Sequence, residues 1–458
     1  MATCARDVLY CAGVALLLGV SPTDARPRLI VTTDIGGDPD DTQSLVRLLV
    51  HSSEFEIEGL IASASGTSGE LREAVVRCDL VRELVEAYGQ VQANLLLHDP
   101  GFPSASHLLE CVKGGNPIRG VESIGPGQDT EGSRWIVAAV DRADPDPVKV
   151  AIWGGSTELA QALWRVRQDR TPEEVVRFLE RLRVHAIGDQ DDTGPWIRAN
   201  FPGLFYLLDH ARDGQTWNSC FRGMFLGGDE TLTSREWLDT HVRTGHGPLG
   251  ALYPPQTATG PNPHGALKEG DTPSWFYFLA NGLQVPSEPT FGGWGGRFEP
   301  SGRFFQDAWD TVGGDTSHHA TVYRWRPAFQ NEFQARMDWC VRPYAEANHR
   351  PRAVLNGDDT GEALRVEAAA GSTVSLSAAG STDPDGDALA HRWWHYREAG
   401  TYPGDVGLAG SDTAEAAVSL PADAAGRTIP LVLEVTDSGD PSLTSYRRAI
   451  ITVRPVPA

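Results

Sequence analysis

Between Arg28 and about Cys340 the sequence alternates short β-rich runs with amphipathic helical ones, and this order narrows the possible folds more than any other feature. RLIVTTD (28–34) and FEIEGLIAS (55–63) read as strands, with a helix from Thr42 to Val50 between them. A long helix is expected over 70–88, then helix 130–143, strand 148–153, helices 157–168 and 172–182, and strand 183–187. Strands separated by helices of this length form a mostly parallel sheet covered by helices on both faces. Such sheets bind ligands beyond the carboxyl ends of their strands, so the chemistry is expected in the loops that follow them.

After Arg342 the texture changes. Residues 345–360 have linker composition, and 361–458 carry short alternating runs such as TVSLSAA and TIPLVLEVTD, punctuated by Gly, Pro, Asp and Ser. That spacing is the signature of an immunoglobulin-like β-sandwich. The expected organisation is therefore an α/β domain over 26–344, a linker over 345–360 and an all-β domain over 361–458. Residues 1–25, with an apolar run from Val8 to Val20 and then small and turn residues ending in Ala25, read as a secretory signal peptide. Asp7 and the Thr23-Asp24-Ala25 site depart from the type. A secreted or periplasmic location follows, with no transmembrane segment. Cys78, Cys111, Cys220 and Cys340 would remain, open to disulfide pairing or to four ordinary thiols, and their spacing offers no soft-metal or redox motif.

Net charge is −22, with only Lys113, Lys149 and Lys268 as lysines, so a phosphate backbone would be repelled and nucleic acid is excluded as a partner. Much of that acidity is local. In TTDIGGDPDD (32–41), Asp34, Asp38, Asp40 and Asp41 follow the first strand. Two carboxylates 4 Å apart repel by about 4 kcal/mol at an effective dielectric of 20. No Lys or Arg lies between Arg28 and Arg47, which points to a bound cation. Hard carboxylate oxygens select Ca²⁺, with Mg²⁺ as the other candidate. The competing reading is an acidic turn whose aspartates cap the following helix.

These residues, with GLIASASGT (59–67) and AIWGGSTELAQAL (151–163), resemble the nucleoside hydrolase family. The loop is longer than that family's, with five residues rather than three between Asp34 and Asp40. Together with IGDQDDTGPWIRANFP (187–202), LKEGDTPSW (267–275) and the appended sandwich, it is more similar to a branch of secreted bacterial proteins labelled cellulose-binding. The resemblance implies a Rossmann-like nucleoside-hydrolase sheet. It implies that Asp34, Asp41, the Thr157 carbonyl and Asp271 hold calcium, and that Asp34 takes a proton from a metal-bound water. It also implies that Asp40 holds sugar hydroxyls and that Thr67 stands where the family has a ribose-binding Asn. Asp38 lies in the inserted part of the loop, and whether it joins the shell is left open.

The implied activity is calcium-dependent hydrolysis of an N-glycosidic bond in a small glycoside or saccharide. The alternatives are non-catalytic cellulose or carbohydrate binding and O-glycosidic hydrolysis. Gly270 replaces the family's histidine before the last calcium ligand, which leaves Glu269 as the nearest acid. Asp191 and Asp192, in a loop after a strand, suit sugar hydroxyls or a helix cap. Trp294, between glycine pairs in FGGWGGRF, is the candidate for stacking on a sugar ring. Trp135, Trp164 and Trp309 read as core, and of Trp393 and Trp394 one should face inward and one outward. His185 reads as a core histidine. Asp383, Asp385 and Asp387 resemble the turn of PKD-like and cadherin-like domains, either as a structural Ca²⁺ site or as a plain tight turn.

Overall fold

The computed structural model describes residues 26–65, 74–257 and 260–456. The signal-peptide reading and Thr67 lie outside these residues. β1 (Arg28–Thr33), β2 (Glu56–Ala62), β3 (Val112–Gly114), β4 (Val148–Ile152), β5 (Leu182–Ala186), β6 (Phe205–Leu208), β7 (Phe298–Ser301) and β8 (Phe304–Asp307) form one sheet. Their order is β3-β2-β1-β4-β5-β6-β8-β7, parallel except for the edge pair β7/β8. The strand order reverses between β1 and β4, and a crevice opens at such a switch point.

Alternation along β1 shows why both faces are covered. Leu29 and Val31 enter one apolar cluster with α1 (Asp40–Val50), α2 (Cys78–His98) and α3 (Ala105–Cys111), while Ile30 enters another. That second cluster includes residues of α4 (Glu131–Asp141), α5 (Thr157–Asp169), α6 (Pro172–Glu180) and α7 (Thr193–Asn200). The elements expected from periodicity are present with ends shifted by a few residues, except that the helix expected over 70–88 is α2, Cys78–His98: Val76 bridges to Ala64 instead, and 70–73 lie outside the described residues.

The C-terminal unit has a four-stranded and a three-stranded sheet. In the first, Leu364–Ala369 pairs parallel with Thr444–Arg454, and the remaining pairings are antiparallel. Trp393 is buried in the sandwich core, whereas Trp394 faces Trp325 at 5.7 Å in the α/β unit. The outward tryptophan therefore meets the partner domain. Residues 345–360 are packed despite their linker composition: His349 stacks on Tyr344 at 3.8 Å, and Leu355 is buried in the sandwich core.

Other readings need correction. Trp135 and Trp309 are 36% and 48% exposed, because Lys113 and Arg212 lie over rings left at the surface. The four cysteines of the described residues are free thiols. The Asp383 carboxylate accepts from the Asp385 and Asp387 amides at 2.9 and 3.0 Å, and Asp385 grips the His349 ring at 3.0 Å, so this turn is tied internally and to the connecting segment.

Candidate active site

The loops leaving β1, β4, β5 and β6 meet at a cavity of about 510 Å³ beyond the carboxyl ends of the strands. Its lining includes Asp34, Asp38, Asp40, Asp41, Trp153, Gln190, Asp209, His210, Arg222, Lys268 and Asp271. Asp40 and Asp41 occupy the first turn of α1, where the positive end of the helix dipole favours negative charge. Pro39 sits at the N-cap with no side-chain cap bond, so the aspartates are not spent on capping. Gly154 lets the chain leaving β4 pass against Asp34: a Cβ there would lie 2.6 Å from the Asp34 Cγ. Gly36 turns the loop at φ +115°.

Side chains distant in sequence relieve part of the loop's charge, and here the sequence argument is corrected. Arg119 donates to Asp34 Oδ2 at 2.9 Å, and Lys268 is ion-paired with Asp38 and lies 3.0 Å from Asp40. Thr257 also donates to Asp38 at 3.1 Å. Lys268 is pushed down by desolvation, but Asp40 and Asp38 outweigh that and hold its ammonium charged. Asp40 is raised to about 6, first by burial, with Lys268 opposing.

Asp41 and Asp271 are treated differently. Neither forms an ion pair among the described residues. Asp41 accepts from the Thr33 hydroxyl at 2.5 Å, and Asp271 Oδ2 is buried with no hydrogen-bond partner. Burial, then neighbouring aspartates, push both carboxyls well above the usual range. One carboxylate oxygen from each of Asp40, Asp41 and Asp271 lies within 4.8 Å of the others. All-oxygen donors with unrelieved charge fit a hard divalent cation.

The remaining candidates are dispersed. Thr157 begins α5 without lining the cavity; its hydroxyl donates to Asp191 at 3.1 Å and accepts from the Gly120 amide at 2.9 Å. Asp191 caps Thr193 at 2.9 Å and Asp192 accepts from the Val121 amide at 2.8 Å, so these two hold loops while Asp189 and Gln190 reach the cavity. Trp294 is 0% exposed, packed between Phe276 at 5.3 Å and Tyr446 at 6.1 Å. Its glycines allow close packing between domains rather than an open loop, and it is not available for ring stacking. Glu269 is also excluded as an acid: it is fully buried in an ion pair with Arg47 and accepts from the Tyr253 hydroxyl at 2.6 Å. Sequence reasoning missed Arg119, Lys268, Arg222 and His210. Only the rarity of lysine could have drawn attention to Lys268.

A family model described as "Cellulose-binding Sde182, nucleoside hydrolase-like domain" matches residues 28–298. The chain belongs to this Sde182 family. A second Sde182-type model, "Cellulose-binding protein Sde0182, C-terminal domain", matches residues 373–453. A solved nucleoside hydrolase-related hypothetical protein from Saccharophagus degradans, described as associated with carbohydrate metabolism, is 37% identical with a TM-score of 0.78. The alignment covers 94% of this chain and 100% of that one. The PKD domain of the KIAA 1837 protein aligns with 24% of this chain and 96% of its own at 17% identity, but its TM-score of 0.18 carries no argument. No curated protein matches. The Sde182 assignment agrees with the layout seen here, a nucleoside hydrolase-like sheet followed by β-sheets. No helix among the described residues is long and apolar enough to cross a membrane.

Proposed function

We propose that this Sde182-family chain binds a saccharide or small glycoside in the cavity and hydrolyses its glycosidic bond, N-glycosidic by analogy with the fold, in a reaction dependent on Ca²⁺ or Mg²⁺. One observation carries this reading: Asp40, Asp41 and Asp271 converge, buried and under-compensated, on a cavity large enough for a sugar. When bound, the cation would polarise a water and grip sugar hydroxyls. Asp41 and Asp271 would hold it, with Asp40 shared between it, Lys268 and the sugar. Asp34, oriented by Arg119 at Oδ2, would accept the proton of the attacking water. Exposed His210, at the end of β6 in the cavity lining, supplies an imidazole to protonate the leaving group. We further propose that the chain is exported by way of residues 1–25, and that 26–344 and 361–458 are its domains, joined by 345–360.

A second reading is binding without turnover. Lys268 and Arg119 favour it, because they already neutralise part of the loop, Arg119 at the carboxylate that would act as base. One experiment separates the two: metal-stripped protein is loaded with Ca²⁺ and given nucleosides and cello-oligosaccharides while product release is followed. Hydrolysis predicts release that falls at least a hundredfold in both Asp34→Asn and Asp41→Asn. Calcium-dependent saccharide binding with no release by the parent protein would establish the binding role instead.

A further inference from the structure

Behind the cavity wall lies a second group of acids that the proposed reaction does not use. β6 and β8 are neighbours in the sheet, and Asp209 follows β6 while Asp307 ends β8. Cys220 reaches them from the turn Cys220–Met224. One ligand atom from each of the three lies within 4.8 Å of the other two, and the residues are 2%, 0% and 0% exposed for Asp209, Cys220 and Asp307. Asp209 Oδ1 takes His185 Nε2 at 3.0 Å and the Cys220 thiol at 3.3 Å. Asp307 Oδ2 accepts from the Cys220 amide at 2.9 Å. The other two oxygens, Asp209 Oδ2 and Asp307 Oδ1, are buried with no hydrogen-bond partner. Elsewhere this chain pairs its buried acids with arginine, as in Glu58 with Arg28 and Glu269 with Arg47. Among the described residues neither Asp209 nor Asp307 has a lysine or arginine partner.

We propose that Asp209, Cys220 and Asp307 form a second cation site, selective for a borderline divalent ion of the zinc type. The thiol is the reason for that selectivity. A thiolate with two carboxylates suits Zn²⁺ or Co²⁺, whereas the all-oxygen group at Asp40, Asp41 and Asp271 suits Ca²⁺. His185, by bonding Asp209 Oδ1, is a positioning residue that orients the carboxylate. On binding, Cys220 gives up its thiol proton to solvent and the two orphaned oxygens gain a partner. Three protein donors leave a tetrahedral ion one further position. Asp209 itself borders the cavity, which provides the entry path.

The test is titration of the metal-stripped full chain with Co²⁺, read as near-ultraviolet thiolate-to-cobalt absorption. One equivalent should develop the band, Zn²⁺ should bleach it, and Cys220→Ser should abolish it while still binding Ca²⁺. Asp307→Asn, which keeps the thiol, should weaken cobalt binding at least tenfold. Asp41→Asn should keep the band while losing Ca²⁺ binding, so that failure of this site and failure of the proposed catalytic site are told apart. Absence of the band at millimolar Co²⁺ in the parent, or its persistence in Cys220→Ser, would overturn the assignment.

Discussion

Asp310 and Asp271 are both buried carboxylates, and the chain handles them in opposite ways. Asp310 opens the strand Asp310–Val312 beside the sandwich. It receives Arg297 at 2.7 Å, Arg324 at 2.5 Å and the Tyr396 hydroxyl, from the sandwich unit, at 2.5 Å. Burial alone would raise its carboxyl, but Arg324 and Arg297 outweigh burial and hold it low. Asp271, with Asp41, has no such partners and is driven high. A fold able to place two arginines around one aspartate could have done the same for the other. The difference separates an acid tied to both units by arginine and tyrosine from one whose buried charge a cation could compensate.

Breaking the compensated cluster should have the largest effect on stability. Asp310→Ala leaves two guanidiniums buried without their anion, at a cost of about 3–5 kcal/mol, seen as a lower urea midpoint. Trp294→Ala should cost a similar or slightly smaller amount, about 3–5 kcal/mol for a large buried ring, while Ca²⁺ affinity stays unchanged. A selective loss of saccharide binding in that variant, with stability intact, would restore Trp294 to the site.

At the under-compensated cluster the effects should appear in affinity. Lys268→Met removes a positive charge 3.0 Å from Asp40. It should tighten Ca²⁺ binding by roughly tenfold, about 1.4 kcal/mol, measurable by calorimetry. Weaker binding would mean that the lysine organises the site rather than competing for it.

The smallest effect is on pH dependence, and its sign differs between the two clusters. Asp40 has a folded-state value of about 6, above the unfolded value of about 3.9. At this carboxyl the folded metal-free chain therefore keeps a proton that the unfolded chain loses, so Asp40's own contribution to stability rises as pH falls from 7 to 5, against the opposite contribution of buried histidines such as His51 and His395, which burial holds low. Ca²⁺ should cancel that rise. Asp310, held low, contributes stability above the unfolded value that is lost only as pH drops through its lower folded value. Thermal melts at pH 7, pH 5 and pH 3, with chelator and with Ca²⁺, measure both signs. A metal-free change in melting temperature between pH 7 and pH 5 that is the same in Asp40→Asn as in the parent would contradict the account.

The sheet was legible because apolar periodicity is local: β1 sends Leu29 and Val31 to one face and Ile30 to the other. The aspartate loop was legible for the same reason, four acids in one short stretch. What closes around it was not. Lys268 and Asp38 are 230 positions apart, and Arg119 and Asp34 are 85, so an argument from charges near the loop in sequence could not find them. Asp209, Cys220 and Asp307 come from separate elements and share no spacing motif. Trp294 misled because flanking glycines serve close packing and open loops equally well. Trp309 misled because a surface cation covers its ring.

The central claim is that Asp41 and Asp271 are left without a lysine or arginine partner because a divalent cation fills that place. Calcium titration of metal-stripped parent and Asp271→Asn, with a thermal melt of each, tests it most directly. The account predicts one Ca²⁺ per parent chain, affinity at least tenfold weaker in Asp271→Asn, and a metal-free variant as stable as the parent or more so. Equal calcium affinity in the two proteins, or a variant as destabilised as Asp310→Ala, would contradict it.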